Sequence, residues 1–284
     1  MGIIGGLVAS SSELDHTGAL VASDAGTEPI LICTATLIGP STVVTAKHCL
    51  RETWVQRQLG LDVSWARGVN IAEAQLVAVA TTSSPDSSVE GALGLGYDVG
   101  IAHLLEDVPA SPAIAVPWDA ELLDTSLVTI GYGMATAWGP TGGMRRIGRE
   151  TVVASEGALY EILYGDFESF VEVELTGAST DQDYLGDAKL RPLPDELDVM
   201  HRVYTQKSLI AEHEIVTRPG FGGTRSCRGD SGSPLLSVRE DGGWAVHGVL
   251  SGGAGSARAE CDFGEVYAVF GPATFPFIQD AVYE

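Results

Sequence analysis

Short apolar runs rich in Val, Ile, Leu and Thr, each cut off by Gly, Pro, Asp or Ser, recur along the chain, and this rhythm restricts the fold more than any other feature. They are ILICTATLIG (30–39), STVVTA (41–46), AQLVAVAT (74–81), VGIAHLL (99–105), SLVTIGYG (126–133), ETVVAS (150–155), SPLLSV (233–238), WAVHGVLSG (244–252) and EVYAVF (265–270). β-Branched side chains are stiff and sit well on a pleated surface, and runs this short bounded by turn-forming residues are the pattern of β-sandwiches and barrels. Helical periodicity is scarce. AELLD (120–124) is too short to count, and TFPFIQDAVY (274–283), with Pro276 suited to a first turn, predicts a helix near the C-terminus.

A length of 284 residues admits one large all-β unit or two smaller ones. The stretch VPASPAIAVPWD (108–119), with Pro109, Pro112 and Pro117, reads as the connection between two β-rich halves. Residues 156–215 differ: acids cluster in GDFESFVEVE and TDQDYLGD and the strand signals break, which predicts an insertion or a long surface excursion.

The 38 acids and 16 bases give a net charge of −22, which opposes binding to phosphate backbones or anionic lipid, so no nucleic-acid or membrane partner is expected. No apolar run approaches the roughly 20 residues that cross a bilayer, and a soluble protein is expected. The four cysteines, Cys33, Cys49, Cys227 and Cys261, contain no Cys-x-x-Cys pair, so disulfides are expected rather than a metal site. Three pairings exist. The sequence-local one, Cys33–Cys49 with Cys227–Cys261, would add on the order of 3 kcal/mol for each loop in an oxidising compartment.

SCRGDSGSP (226–234) has little to pack in a core, which directs attention to chemistry. A serine hydroxyl is a weak nucleophile that needs a base, a group to orient the base, and donors for the oxyanion. TAKHC puts His48 after a strand run and beside Cys49, GYDVGIAHL puts Asp98 at the mouth of another, and CRGDSGSP puts Ser231 in a tight loop two residues after Gly229. With the start IIGG, these motifs resemble the chymotrypsin/trypsin family of serine endopeptidases, in the family's chain order His, Asp, Ser.

The resemblance implies an all-β chain of two six-stranded antiparallel β-barrels with a short C-terminal helix. Residues 3–112 would form the barrel carrying His48 and Asp98. Residues 113–284 would form the one carrying Ser231, with the insertion near 156–215. It implies a Ser231–His48–Asp98 triad, an oxyanion hole from the N–H groups of Gly229 and Ser231, and Ser251 supporting Asp98. Gly252 and Gly253 would pair with an extended peptide, and Arg225, Ser226, Arg228 and Glu265 would line the substrate pocket. Both sequence-local disulfides fall where the family has them. It further implies that the α-ammonium of Ile3, once released by proteolysis, pairs with Asp230 and orders the site. The sequence begins Met1-Gly2 ahead of Ile3, and an amide there carries no charge to compensate a buried carboxylate.

Ser233 stands where glycine is common in animal members, and Lys47 where a small apolar residue is usual. Arg225 at the pocket base would favour acidic or polar side chains and a free Glu265 would favour Arg or Lys; a pairing of the two is expected within or near the pocket. Partners are protein or peptide substrates; no cofactor is expected, and the chain is expected to act as a monomer. No secretory signal precedes Ile3, so either one was removed from a secreted or periplasmic protein or the protein is cytosolic.

Three other readings compete. An α/β-hydrolase needs Gly-x-Ser-x-Gly, which GDSGS fails at Ser233. A metal site from His16, His103, His201 and His213 lacks ligand spacing. A non-catalytic or latent binding module on the protease fold differs from the enzyme only in whether Ser231 reacts.

Overall fold

The computed structural model describes residues 3–24, 27–135, 142–178, 194–220, 223–256 and 259–283. Part of the expected insertion, residues 179–193, lies outside the described residues. After a two-residue strand β1 (Leu7–Val8), six strands form a closed antiparallel barrel: β2 (Thr17–Ser23), β3 (Ile30–Leu37), β4 (Thr42–Thr45), β5 (Asp62–Arg67), β6 (Gln75–Ser83) and β7 (Gly100–Leu104). Its interior is filled by Leu20, Ala35, Leu37, Val44, Val63, Trp65 and Ile101, all buried.

A second set follows: β8 (Ile114–Ala115), β9 (Ser126–Gly131), β10 (Arg146–Ala154), β11 (Glu214–Pro219), β12 (Pro234–Val238), β13 (Trp244–Ser256) and β14 (Ala259–Val269). In the order β10, β11, β14, β13, β12, β9 and back to β10 these close a second six-stranded antiparallel barrel, as expected. Two short strands attach to its rim: β1 pairs antiparallel with β10, and β8 runs parallel to β13. The N-terminal segment is therefore hydrogen-bonded to the second barrel.

Five α-helices are described, more than the sequence pattern predicts. α1 (Lys47–Gln58) buries only Cys49, Leu50 and Thr53 and has no side-chain N-cap, so its sequence carries no apolar stripe to announce it. α2 (Leu159–Tyr164), α3 (Phe167–Ala178) and α4 (Pro194–Gln206) occupy the connection between β10 and β11. Contacts among Tyr160, Tyr164, Phe167, Phe170 and Tyr204, with ring centroids 4.9 to 6.2 Å apart, hold these helices together. α5 (Phe275–Tyr283) is the expected C-terminal helix and buries Ile278 and Ala281, while AELLD forms only a 3-10 turn over Ala120–Leu122.

Arg145, just before β10, is fully buried and fastens the segment leading into β2. Its guanidinium donates to the carbonyls of Ala9 (2.9 Å), Leu14 (2.9 Å) and Ser11 (2.8 Å) and pairs with Asp15 at 2.9 Å. Arg145→Ala leaves the carbonyls of the buried Ala9 and Leu14 without this donor and Asp15 without its cation. A loss of about 3–5 kcal/mol is expected, read as a lower urea midpoint at an unchanged slope.

Candidate active site

His48 lies in the first turn of α1, immediately after β4, and Asp98 lies two residues before β7; β4 and β7 are antiparallel neighbours. That adjacency brings two positions 50 residues apart together. Asp98 is 1% exposed and accepts from the backbone N–H of His48 at Oδ1 (2.8 Å) and from Ser251 Oγ at Oδ2 (2.6 Å). His48 Nδ1 lies 2.8 Å from the same Oδ2. A carboxylate there can only accept, so the ring proton belongs on Nδ1 and the lone pair on Nε2. The side chain of His48 is 29% exposed and can meet a ligand, unlike its acid partner.

Ser231 sits in the turn between Cys227 and β12. The loop is seated on the first barrel: Thr34 N–H donates to the Ser231 carbonyl at 2.8 Å, and a Cβ on Gly232 would fall 2.2 Å from both Thr34 O and Thr45 Oγ1. Thr45 is three residues before His48, so this packing sets serine and imidazole on neighbouring backbones. Among the described residues Ser231 Oγ makes no hydrogen bond to His48, whose Nε2 lies 3.7 Å from Cys49 Sγ. The N–H groups of Cys227, Asp230, Gly232 and Ser233 all have acceptors within the loop or its neighbours. Those of Gly229 and Ser231 have none among the described residues, and φ at Gly229 is +89°, a conformation suited to glycine.

Asp230 is fully buried in a space that two glycines leave open. A Cβ on Gly131 would lie 2.0 Å from its Oδ1, and one on Gly133 would lie 2.5 Å from its backbone nitrogen. It accepts N–H bonds from Gly133 (2.7 Å), Cys227 (2.9 Å) and Ile3 (3.2 Å). Burial pushes this carboxyl up to about 7, against the pull of the three N–H donors and with a further push from Glu150. Ile3 is itself fully buried at φ +48°, a left-handed conformation that a β-branched residue adopts only under strain.

Beside Asp230 lies a second acidic group, of which the sequence marks only one member. Glu265 Oε1 accepts from the backbone N–H of Ser226 (2.9 Å), and Glu150 accepts from Ser226 Oγ (2.9 Å) and Thr217 Oγ1 (2.6 Å). Burial holds both carboxyls above the usual range, and Glu265 is raised further by Glu150 and then by Asp230. The sequence suggests Arg225 as the partner of Glu265; in the structure the hydrogen bonds to this carboxyl come from Ser226 and Thr217. The backbone of Arg225 bonds to Ile4 in both directions, at 2.8 and 3.0 Å, and Arg228 is exposed. Glu150 has no motif to mark it. Gly252 and Gly253 lie on β13 opposite Val266 and Glu265.

A carboxyl that binds its proton more tightly folded than unfolded has no effect below its unfolded value, near 4, where both states are protonated. Stability is then lost as pH rises through the folded value, about 7 for Asp230. In the chain bearing Met1-Gly2, Asp230→Asn is therefore expected to gain stability relative to the parent between about pH 4 and pH 7, measured by urea unfolding at each pH. A difference that stays flat with pH contradicts this.

Disulfides Cys33–Cys49 and Cys227–Cys261 are both present, one beside His48 and one anchoring the serine loop. Cys33, His48 and Cys49 place possible ligand atoms within 4.8 Å of one another, but both sulfurs are committed to the disulfide and offer no thiolate to a metal.

Compared with known proteins, residues 3–151 and 175–274 match the family model described as Trypsin. Chymotrypsin-C of Rattus norvegicus is 26% identical over 231 residues, a match that covers 79% of this chain and 68% of that protein.

Proposed function

The chain belongs to the trypsin family of serine proteases, and from that membership we propose that it is an endopeptidase in which Ser231, His48 and Asp98 carry acyl transfer. Ser231 Oγ attacks the scissile carbonyl as His48 Nε2 takes its proton. Asp98 holds the imidazole in the required tautomer and stabilises the imidazolium. The free N–H groups of Gly229 and Ser231 receive the oxyanion, the imidazolium protonates the departing amine, and water then releases the acyl group by the reverse use of the same base. The hydroxyl–imidazole bond forms as substrate closes the site, since such bonds are commonly loose in unliganded enzymes. Gly252 and Gly253 hold the substrate as an extended strand, and Ser226, Arg225, Arg228 and Glu265 border its side-chain pocket.

The observation that carries this reading is the buried Asp98 carboxylate, shared at 2.8 Å with His48 Nδ1 and at 2.6 Å with Ser251 Oγ. An orienting acid so placed favours the enzyme over a non-catalytic module on the same fold. The testing experiment is covalent modification of Ser231 by a fluorophosphonate together with hydrolysis of unstructured peptides.

Asp230 is the activation latch in this reading. The Ile3 amide offers it one neutral donor, whereas cleavage before Ile3 supplies an ammonium. The same cleavage ends the constraint that holds Ile3 at φ +48°, since an N-terminal residue has no preceding peptide. Protein and peptide substrates follow from the family, and a secreted or periplasmic location suits the two disulfides.

A further inference from the structure

Asp98 ends the connection from β6 to β7, and the last turns of that connection, GALGLGYD (91–98), are built around glycines. Gly91, Gly94 and Gly96 have φ of +71°, +72° and +66°. A segment so rich in glycine gains much freedom when released. Within it Gly94 N–H donates to Gly91 O (3.2 Å), and it is tied to the preceding residues by Gly96 N–H to Glu90 O (2.7 Å) and Tyr97 N–H to Ser87 Oγ (3.2 Å).

Asp98 itself is held by His48 and Ser251; the turn that leads to it is held from the other barrel. Glu214, the first residue of β11, is 1% exposed, and its Oε2 accepts from the backbone N–H groups of Ala92 (2.9 Å) and Ile210 (2.8 Å). Its Oε1 fills the space beside Gly91, where a Cβ would lie 2.5 Å away. One residue earlier, His213 stacks on Tyr97 with centroids 4.5 Å apart. The His213 ring is itself fixed, with Nδ1 3.0 Å from Ala211 O and Nε2 accepting from Ala273 N–H at 3.0 Å. Ala92 and Tyr97, the two anchored residues, bracket the turn that delivers Asp98.

We propose that Glu214 is a positioning residue for the site: from the second barrel it clamps the 91–98 turn and so keeps the Asp98 carboxylate on the His48 imidazole. This rests on the reading of Asp98 as the acid of the triad. Burial pushes the Glu214 carboxyl up, and the charge of Asp98 adds to that push, so a neutral side chain is compatible with the place. Both N–H bonds end on one oxygen, and glutamine can supply that oxygen.

The test uses the full chain trimmed to Ile3. E214A is expected to lower kcat by about 10²-fold, the usual penalty for a catalytic group displaced by an ångström, with KM little changed. The low-field proton resonance of His48 Nδ1–H should broaden or move upfield. E214Q should restore most of the lost kcat and keep the resonance. G91A, whose added Cβ presses on Glu214 Oε1 and strains the turn at φ +71°, should shift both readouts in the direction of E214A, and it serves if E214A does not fold. Unchanged kcat with an unmoved resonance in E214A, or in G91A if that is the variant that folds, overturns the proposal; so does an E214Q as impaired as E214A. Reading the resonance also in S231A protein separates the two claims. If the parent never cleaves a peptide, the enzymatic reading fails, while the resonance still decides the role of Glu214.

Discussion

Ser231→Ala is expected to lower peptide turnover by about 10⁶-fold while leaving the fold intact. The size follows from the chemistry: without the hydroxyl there is no acyl-enzyme, and what remains is the modest assistance that binding and the free N–H groups of Gly229 and Ser231 give to direct attack by water. The absence of a structural effect follows from the geometry. Ser231 is held through its backbone, its carbonyl accepting from Thr34 N–H at 2.8 Å, so removing Oγ disturbs none of the bonds that seat the loop. A change within about 0.5 kcal/mol is expected for stability. His48→Ala should cost a similar factor, and the double variant should be no slower than either single one, because residues acting as a unit are not additive. Turnover retained by Ser231→Ala removes this serine from the mechanism.

Protein beginning at Ile3 is expected to hydrolyse peptides about 10²- to 10³-fold faster than protein bearing Met1-Gly2, the range associated with losing an oxyanion donor. Asp230 is buried, and its carboxyl is pushed up to about 7, so near neutral pH the charged form is poorly tolerated with only N–H donors around it. An ammonium at Ile3 supplies the missing charge on the spot where the amide now lies 3.2 Å from Oδ2, and it frees Ile3 from its strained φ. Both effects favour the arrangement in which the loop keeps the N–H groups of Gly229 and Ser231 open to the substrate. Asp230→Asn in the trimmed protein should return the rate towards the untrimmed level, since an amide cannot pair with the ammonium. Equal rates for the two N-termini contradict the latch.

The strands with β-branched, apolar sequences are legible in the amino-acid sequence alone, because their chemistry is local. β2 (TGALVAS) and β5 (DVSWAR) are not, since small and polar residues hide a strand whose burial is decided by its neighbours in a closed barrel. α1 is hidden for the converse reason, a polar helix with only three buried side chains. Within the site, His48, Asp98 and Ser231 carry motifs that can be read directly, and the disulfides fall in the sequence-local pairing. Glu150 and Glu214 carry none. Glu150 meets Glu265 only because β11 lies between β10 and β14, with Thr217 paired to Val152 on one side and Glu265 on the other. Glu214 meets Ala92 across 122 residues and two barrels. Register of that kind is a property of the assembled sheets, and no single stretch of sequence encodes it.

The most direct test of the account is to incubate trimmed protein with a fluorophosphonate, locate the modified residue by peptide mapping, and follow peptide hydrolysis in parallel. The account predicts stoichiometric modification at Ser231, loss of hydrolysis in step with it, and no modification in Ser231→Ala. Modification elsewhere, or hydrolysis that persists once Ser231 is fully modified, would contradict it.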